Sequence, residues 1–257
     1  MAFALRDADL TALNSLTKYP SIPTFHTLDP TNGGLLDERV PFTGAVIGTE
    51  KVDGTNSRII SLPDGNYLLG SREELLYAKG DLIGNPAQGI VAALRAFADA
   101  LAPVTDDVIQ VRYLEVYGGK VTAASKQYTS TRAVGFRLFD MAVIGDYADL
   151  LARPAQQISA WRDGGGQRYL SEEDLTALAE RDGLTLTPRL FTVDAEDLPV
   201  ELDKTRALLA EHLPRTRSAL DEGAAGAPEG IVLRSADRAT IAKARFQDYD
   251  RTLRRKR

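Results

Sequence analysis

Residues Gly44 to Arg58 read GAVIGTEKVDGTNSR and place one lysine, Lys51, directly after a run of apolar and β-branched residues. The run from Gly44 to Thr49 predicts a strand, and the pair Asp53 and Gly54 is a turn signal. The sequence therefore predicts Lys51 at the point where a strand breaks. A lysine there, short of water and near other cations, could lose its proton and act as a nucleophile. The alternative for so short a motif is a surface lysine at a strand end.

The composition is that of a globular protein. The chain has 257 residues, of which 44% are hydrophobic and 26% are charged, so it can bury a large core. It contains no cysteine, which excludes disulfides, thiolate catalysis and cysteine zinc sites. The formal net charge of −5 gives no general attraction to nucleic acid, so a nucleic-acid partner would need a local basic surface.

The N-terminal residues and the lengths of the apolar runs indicate where in the cell the protein is expected. Asp7 introduces an acidic residue too early for a signal peptide, and no apolar run approaches the roughly 18 residues that a membrane span needs. We therefore expect a cytoplasmic protein with no membrane partner. Nothing in the sequence indicates its oligomeric state.

The first third of the chain predicts a helix followed by a hairpin. Leucines at helical spacing predict a helix over residues 7–16, which must end before the prolines that follow. One extended run over 44–60, a turn at 63–66 and a return over 67–72 predict the hairpin. This pairing would place Arg72 on a strand near the lysine.

The rest of the chain alternates predicted strands and helices. The predicted helices cover residues 86–101, 154–161, 171–181 and 201–220, the last interrupted at Pro214. The predicted strands cover residues 108–117, 135–144, 230–234 and 240–246. Strands dominate both ends of the chain, with helices between and around them. The fold class is therefore predicted to be α+β, with antiparallel sheets flanked by helices.

Five further residues place a charge or an aromatic ring on or beside predicted strands. They are Glu115, Phe136, Glu229, Lys243 and Arg245. Each has an ordinary explanation, because a strand glutamate usually faces solvent, a phenylalanine usually lies in the core, and a Lys-x-Arg pair usually lies on an exposed edge. Their order along the chain changes this reading, since a chance coincidence of so many ordered elements is improbable.

Together with Lys51, this order resembles the motif set of the covalent nucleotidyltransferase superfamily of ligases and capping enzymes. Within it, the chain is similar to the ATP-dependent RNA ligases of the nick-sealing and RNA-editing branch. DNA ligases and capping enzymes usually have arginine five residues after the lysine. Here that position is Asn56, in a Gly54-Thr55-Asn56 segment that resembles the signature of RNA ligases. Gly70-Ser71-Arg72 resembles the arginine motif that follows. The resemblance runs from about Lys18 to Phe246 and implies a nucleotidyltransferase (adenylation) domain of ligase type with an ATP-grasp-like cleft.

The resemblance implies a reaction of three in-line displacements at phosphorus. The lysine attacks the α-phosphate of ATP to give lysyl-AMP and pyrophosphate, the AMP passes to an RNA 5′-phosphate, and an RNA 3′-hydroxyl displaces the AMP. ATP and Mg²⁺ (or Mn²⁺) are the implied cofactors, and RNA ends, including those of a nicked duplex, are the implied partners. Catalysis then consists mainly of aligning the reacting groups and neutralising phosphate oxygens.

The same resemblance implies a role for each site residue. The implied catalytic residues are Lys51, Asp53, Asn56, Arg72, Lys243 and Arg245. The implied nucleotide-binding residues are Glu50, Lys51, Arg72, Glu115, Phe136, Glu229, Lys243 and Arg245. Among them Phe136 would stack on adenine, Glu50 would help hold the base and Glu115 would help hold the ribose. Asp53, Glu115 and Glu229 would surround the metal ion largely through its waters. Asn56 would serve the transfer to the RNA end.

Two departures from the family pattern bear on these expectations. Arg245 stands where RNA ligases often have lysine, so the phosphate contact is retained while a proton-donor role is lost. Only eleven residues follow Phe246, so we expect a single domain over 1–257 without an oligonucleotide-binding fold or a C-terminal RNA-binding domain. Its helical N-terminal segment would cover about 1–25 and its basic tail about 247–257. The tail is expected either to contact RNA phosphates or to be a solvated, frayed end.

Two other functions remain open from the sequence. A DNA ligase or another covalent nucleotidyltransferase is the nearer alternative, and Asn56 argues against it. A non-catalytic nucleotide- or RNA-binding module is the second, and the complete motif set argues against it. His26 and His212 have no ligand-like spacing, and the triple glycine at 164–166 lacks the lysine of a P-loop, so we assign no site to them.

Overall fold

A seven-stranded and a four-stranded antiparallel sheet form the framework of the computed structural model, which describes residues 3–84 and 89–255. In chain order the strands are β1 (His26–Leu28), β2 (Leu35–Arg39), β3 (Ala45–Lys51), β4 (Thr55–Ser61), β5 (Tyr67–Ser71), β6 (Leu75–Ala78), β7 (Asp81–Leu82), β8 (Ile109–Gly118), β9 (Val134–Ile144), β10 (Arg168–Tyr169), β11 (Arg189–Asp194), β12 (Gly230–Ser235) and β13 (Ile241–Arg245). The α-helices are α1 (Leu10–Thr17), α2 (Ile90–Ala100), α3 (Tyr147–Leu151), α4 (Ala155–Asp163), α5 (Glu172–Asp182), α6 (Leu202–His212) and α7 (Phe246–Arg255).

The strand order shows how the two sheets are built. The larger sheet has the order β10-β9-β8-β4-β5-β6-β7, and the smaller has the order β11-β3-β12-β13. β1 and β2 form a separate antiparallel ribbon. Neighbouring strands in both sheets run antiparallel. The predicted α+β class with antiparallel sheets is confirmed.

The predicted single extended run over residues 44–60 is wrong, because it consists of two strands in different sheets. β3 ends at Lys51 as an inner strand of the smaller sheet, and β4 begins at Thr55 in the larger sheet. Between them the chain passes Gly54, where a Cβ would lie 2.4 Å from the carbonyl oxygen of Val116. The crossing therefore requires a residue without a side chain. As a result, the lysine lies at the junction of the two sheets.

The predicted hairpin and several predicted helices are confirmed. β4 pairs with β5 along the whole of Ser57–Ser61. α1, α4 and α5 overlap their predicted segments, and the Ser171 side chain caps α5 by accepting a hydrogen bond from the Asp174 amide. The predicted start of the helix that contains α2, at residue 86, lies outside the described residues.

Two predictions near the C-terminal end are wrong. α6 ends at His212, and residues 214–220 continue as a loop instead of a helix. The tail forms α7 as far as Arg255, with Tyr249 and Thr252 buried, so the alternative of a frayed end is wrong for the described part of the tail. The last two tail residues lie outside the described residues.

Among the described residues, three large apolar clusters hold the sheets and helices together, and a fourth, small one contains Val52, Tyr117 and Tyr128. Ile59 and Ile60 of β4 are both fully buried and lie in different clusters, because successive strand residues point to opposite faces. One face of the larger sheet packs against α2 and α5, and the other packs against α1, α3 and α4. The smaller sheet packs against α6 and α7. Within residues 3–84 and 89–255, no helix has both the length and the apolar character needed to cross a membrane.

Candidate active site

A cleft of about 430 Å³ lies at the junction of the two sheets. The smaller sheet lines it with Thr49, Lys51, Val232, Arg234, Ile241, Lys243 and Arg245. The larger sheet lines it with Asn56, Glu115 and Phe139, and the segment after α1 adds Tyr19, Pro20 and Ile22. The cleft therefore gathers most of the residues that the sequence singled out.

The side chain of Lys51 is held by a glutamate. Its Nζ lies 2.5 Å from Oε2 of Glu229, and both side chains are mostly buried. Strand pairing explains this contact, because Lys51 of β3 lies opposite Gly230 of β12, the residue after the glutamate. The lysine must give up this contact and a proton before its nitrogen lone pair can attack a ligand.

Two carboxyl groups interact with the lysine: that of Glu115 on β8 and that of Glu229, the residue before β12. The backbone N–H of Gly54 donates a hydrogen bond of 3.1 Å to Oε1 of Glu115. Burial raises the pKa of the Glu115 carboxyl to about 8; Lys51 opposes this rise, whereas Glu229 and Asp53 add to it. Near neutral pH the cluster therefore carries less negative charge than three acids usually do.

The chemistry of these acids fits a magnesium ion that keeps its own waters. Carboxylate oxygens are the ligands that Mg²⁺ prefers, and Mg²⁺ dehydrates reluctantly. Among the residues that the structure describes, no group of three or more His, Cys, Asp or Glu side chains could hold an ion directly.

Asn56 presents an unmatched acceptor to the cleft. It lies opposite Glu115 in the pairing of β4 with β8. Its Oδ1 is buried and has no hydrogen-bond partner within the described part of the chain. An unsatisfied buried polar atom costs about 1–3 kcal/mol. This oxygen is therefore placed to accept a hydrogen bond from a bound ligand.

Lys243 and Arg245 form the basic wall of the cleft. They lie two residues apart on β13, so their side chains point to the same face of the strand. Burial lowers the pKa of Lys243, and the positive charges of Arg245, Lys51 and Arg72 lower it further, while Glu229 opposes the shift. Concentrated positive charge of this kind suits a polyanionic ligand.

Arg72 reaches the cleft from a different position than predicted. It lies directly after the end of β5, not on the strand, and its side chain is about half exposed. Its Nη2 donates a hydrogen bond of 3.0 Å to Oγ of Ser21. The predicted strand position is wrong, but Arg72 does line the same cleft as Lys51.

Phe136 does not line the cleft. Its ring packs against Phe97 of α2, with 5.8 Å between the ring centroids, in the cluster beneath that helix. Phe139, three residues further along β9, lines the cleft. An odd separation along a strand places two residues on opposite faces, so the structure does not bring Phe136 into the cleft with Phe139. Phe136 and Leu138 are two residues apart and both pack in the core. This alternation is the signal that could have placed Phe139 on the opposite face, toward the cleft.

Glu50 borders the cleft, but its carboxylate is already occupied. The residue is 1% exposed. Its Oε1 accepts a hydrogen bond from the Thr216 hydroxyl, and its Oε2 accepts one of 2.9 Å from the Arg217 amide and one of 3.0 Å from the Ser218 hydroxyl. These hydrogen bonds occupy both carboxylate oxygens, although Glu50 itself lines the cleft. The carboxylate instead fixes the loop that was predicted to be helical.

A buried charged network supports the cleft aromatics, and sequence reasoning missed it. The ring of Tyr19 meets Phe139 edge-on, with 5.0 Å between centroids. Oδ2 of Asp140 accepts hydrogen bonds from the Tyr19 hydroxyl at 2.8 Å and from Arg238 Nε at 2.6 Å, and Arg234 Nη1 donates to the Phe139 carbonyl at 3.0 Å. These contacts tie β12 and the turn after it to β9. No sequence spacing indicates them, because they join distant segments.

Solved structures that are similar to this fold include RNA ligases. The chain is 13% identical to an apo mutant form of an RNA ligase from Naegleria gruberi, with a TM-score of 0.57, and the match covers 94% of this chain and 58% of that one. It is 18% identical to an archaeal ATP-dependent RNA ligase, with a TM-score of 0.53, and the match covers 90% of this chain and 49% of that one. At such identities the likeness concerns the fold. This chain spans less than two thirds of the length of either.

A family model provides the identification. The model for the RNA ligase family matches residues 44–246, which include every lining residue of the smaller sheet and the crossing at Gly54. No curated protein matches the chain. The chain belongs to the RNA ligase family. The resemblance predicted from its motifs is confirmed.

Proposed function

We propose that this chain is an ATP-dependent RNA ligase that joins 5′-phosphate and 3′-hydroxyl ends through lysyl-AMP and adenylated RNA. The observation that carries the proposal is the position of Lys51. It lies where a strand of one sheet crosses to the other, inside the cleft, between carboxylates and a basic wall. A lysine held there can reach a nucleotide phosphate that the cations neutralise.

The cations of the cleft would do most of the catalytic work. Phosphoryl and nucleotidyl transfer need alignment of the attacking and leaving groups and neutralisation of the phosphate oxygens. Lys243, Arg245 and Arg72 would bind the triphosphate and orient the α-phosphorus toward Lys51. Glu229 would release the lysine as the nucleotide enters, because a charged lysine paired with a carboxylate has no free lone pair.

Phe139 replaces Phe136 in the proposed contact with adenine. Its ring lines the cleft and is held edge-on by Tyr19. A π face stacks on any base, so the position of the ring decides which phenylalanine acts. Because hydrogen bonds occupy the Glu50 carboxylate, we assign that residue to positioning the 216–218 loop and not to the base.

Asp53, Glu115 and Glu229 are the residues that would hold a magnesium ion. When bound, the ion would neutralise phosphate charge and draw the acids together. The Glu115 carboxyl would also help hold the ribose. Its hydrogen bond from Gly54 fixes one oxygen of this carboxyl, and the residue lines the cleft.

Asn56 and the basic tail are the proposed contacts with RNA. The unmatched Oδ1 of Asn56 would accept a hydrogen bond during transfer to the RNA end. In the tail, Arg251 donates to the Gly33 carbonyl and Arg255 to the Asn32 carbonyl, so Arg254 is the described tail cation best placed to meet a phosphate. A cytoplasmic location and a nicked-duplex substrate remain predictions.

A sealing assay tests the proposal. RNA strands with 5′-phosphate and 3′-hydroxyl ends, offered as a nick, as a hairpin break and as free strands, should be joined by the wild type with ATP and magnesium. Lys51→Ala should join none, whereas Lys79→Ala, an exposed lysine outside the cleft, should match the wild type. Joining by Lys51→Ala would refute the assignment of the nucleophile.

The two alternatives give different results. Labelling with ATP, GTP and NAD separately identifies the nucleotide donor, and sealing of DNA ends in preference to RNA ends would indicate a DNA ligase. A non-catalytic module would bind ATP without becoming labelled. Covalent labelling by ATP combined with RNA sealing is the result that the proposed function expects.

A further inference from the structure

The arginine that departs from the usual lysine of the family has a dedicated acidic partner. Arg245 ends β13 and lines the cleft. Its Nε lies 2.8 Å from Oδ2 of Asp248 and its Nη2 lies 3.2 Å from Oδ1. Two parallel hydrogen bonds of this kind fix the plane of a guanidinium as well as its position. A lysine, whose ammonium is a single point of charge, cannot be held in this way.

Asp248 is itself held firmly. It lies in the first turn of α7 and is 1% exposed. Its Oδ1 also accepts a hydrogen bond of 3.2 Å from Nη2 of Arg251, and that guanidinium donates to the carbonyl of Gly33 in the loop between β1 and β2. The carboxylate therefore has little freedom, because the helix, a second arginine and a neighbouring loop restrain it.

The geometry leaves one edge of Arg245 available. Nε and Nη2 point to the carboxylate, whereas Nη1 has no hydrogen-bond partner among residues 3–84 and 89–255. Two arginines share one carboxylate, so the set of Arg245, Asp248 and Arg251 keeps a net positive charge. With Lys243 two residues away on the same face of β13, the free edge is suited to phosphate oxygens.

We propose that Asp248 is a positioning residue, which orients Arg245 so that its free guanidinium edge binds the phosphates of the nucleotide. This inference rests on the proposed function, because it assumes a nucleotide triphosphate in the cleft. The proposal has one specific consequence. Phosphate binding by Arg245 depends on Asp248, so a lysine at residue 245 cannot replace the arginine, although it carries the same charge.

Four variants test the inference: Asp248→Asn, Arg245→Lys, the double variant of both, and Asp250→Asn. The last is a matched control, because Asp250 lies on the same helix and its Oδ1 accepts a hydrogen bond of 2.7 Å from Arg206, which does not line the cleft. Two readouts are measured for each: the dissociation constant of pyrophosphate, and the KM and kcat for ATP in lysyl-AMP formation.

The expected results follow from the paired hydrogen bonds between the Arg245 guanidinium and the Asp248 carboxylate. Asp248→Asn and Arg245→Lys should each weaken pyrophosphate binding by about tenfold to a hundredfold, the loss expected when a hydrogen bond to a charged phosphate is no longer well formed. The loss should appear in KM more than in kcat. In the Arg245→Lys background, Asp248→Asn should change binding by less than about twofold, because no guanidinium remains to be oriented. Asp250→Asn should match the wild type.

Several outcomes would overturn the inference. One is that Asp248→Asn weakens pyrophosphate binding equally in the wild type and in Arg245→Lys. That result would mean that Asp248 acts by stabilising α7 and not by orienting Arg245. If Arg245→Lys bound pyrophosphate as the wild type does, charge alone would suffice, and this variant decides the matter even if Asp248→Asn does not fold. A wild type that forms no lysyl-AMP but shows the expected coupling in pyrophosphate binding would refute the proposed function and leave the role of Asp248 intact. Failure of the wild type to bind pyrophosphate would overturn the inference, and formation of lysyl-AMP by the same protein would leave the proposed function standing.

Discussion

Replacing Phe139 by leucine is expected to weaken ATP binding while the chain stays folded. The ring lines the cleft, and leucine keeps most of its apolar volume but removes the π face on which adenine would stack. Stacking of a base on an aromatic ring is worth about 1–3 kcal/mol. Since leucine retains part of the apolar contact, we expect a loss of about 1–2 kcal/mol, which is about 5- to 30-fold in affinity.

Phe136→Leu is the matched control for this substitution. It changes the same residue type in the same strand, but on the face that packs against Phe97. Each substitution removes aromatic contacts worth about 0.5–1.5 kcal/mol, those with Phe97 in one case and those with Tyr19 in the other. The two variants should therefore lose similar amounts of unfolding free energy in urea and should differ in ATP binding.

The assay is the rate of lysyl-AMP formation over a range of ATP concentrations, together with urea unfolding of the same preparations. KM should rise for Phe139→Leu and stay within about twofold of the wild type for Phe136→Leu. A raised KM for Phe136→Leu with an unchanged KM for Phe139→Leu would refute the assignment of faces. Equal changes of KM in Phe139→Leu and Phe136→Leu would indicate that both substitutions weaken ATP binding by disturbing the packing of the sheet.

Two further predictions concern Glu50 and Lys243. Glu50→Gln removes the charge that accepts hydrogen bonds from the 216–218 loop and should lower the free energy of unfolding by about 1–3 kcal/mol in urea titrations; an unchanged value would show that the loop does not depend on the carboxylate. Burial and neighbouring cations such as Arg245 lower the pKa of Lys243, so its positive charge is lost at a lower pH than that of an ordinary lysine. Pyrophosphate affinity should therefore fall as the pH rises toward that pKa, and Lys243→Arg, which keeps its charge, should move this fall to higher pH. Superimposable pH profiles of the two proteins would contradict the assigned role.

Local pattern was sufficient to predict that a strand ends at Lys51, the proposed nucleophile. A β-branched run, a lysine and an Asp-Gly turn lie within one short segment, and the structure places the end of β3 at Lys51. The larger strands, β8 and β9, were also predicted closely, because long segments rich in β-branched and aromatic residues are a strong local signal. The assignment of β3 and β4 to different sheets was beyond this reasoning, since it depends on the close approach of Gly54 to a distant strand.

The errors in the site have the same origin. Phe136 and Phe139 are both plausible stacking residues by type, and only their register against the core separates them. Glu50 stands next to the lysine in sequence, but its carboxylate bonds to a loop more than 160 residues away. Asp248 lies three residues from Arg245, yet its role depends on the direction in which α7 leaves β13. Long-range packing decides each of these, and a single sequence does not reveal it.

The most direct test of the central claim is to locate AMP on the chain. After incubation with ATP and magnesium, the protein is digested and its peptides are analysed by mass spectrometry. We predict a single AMP, attached through a phosphoramide bond to Lys51 and absent from Lys51→Ala. AMP attached to another residue, or no covalent AMP on a folded wild type that binds ATP, would contradict the account.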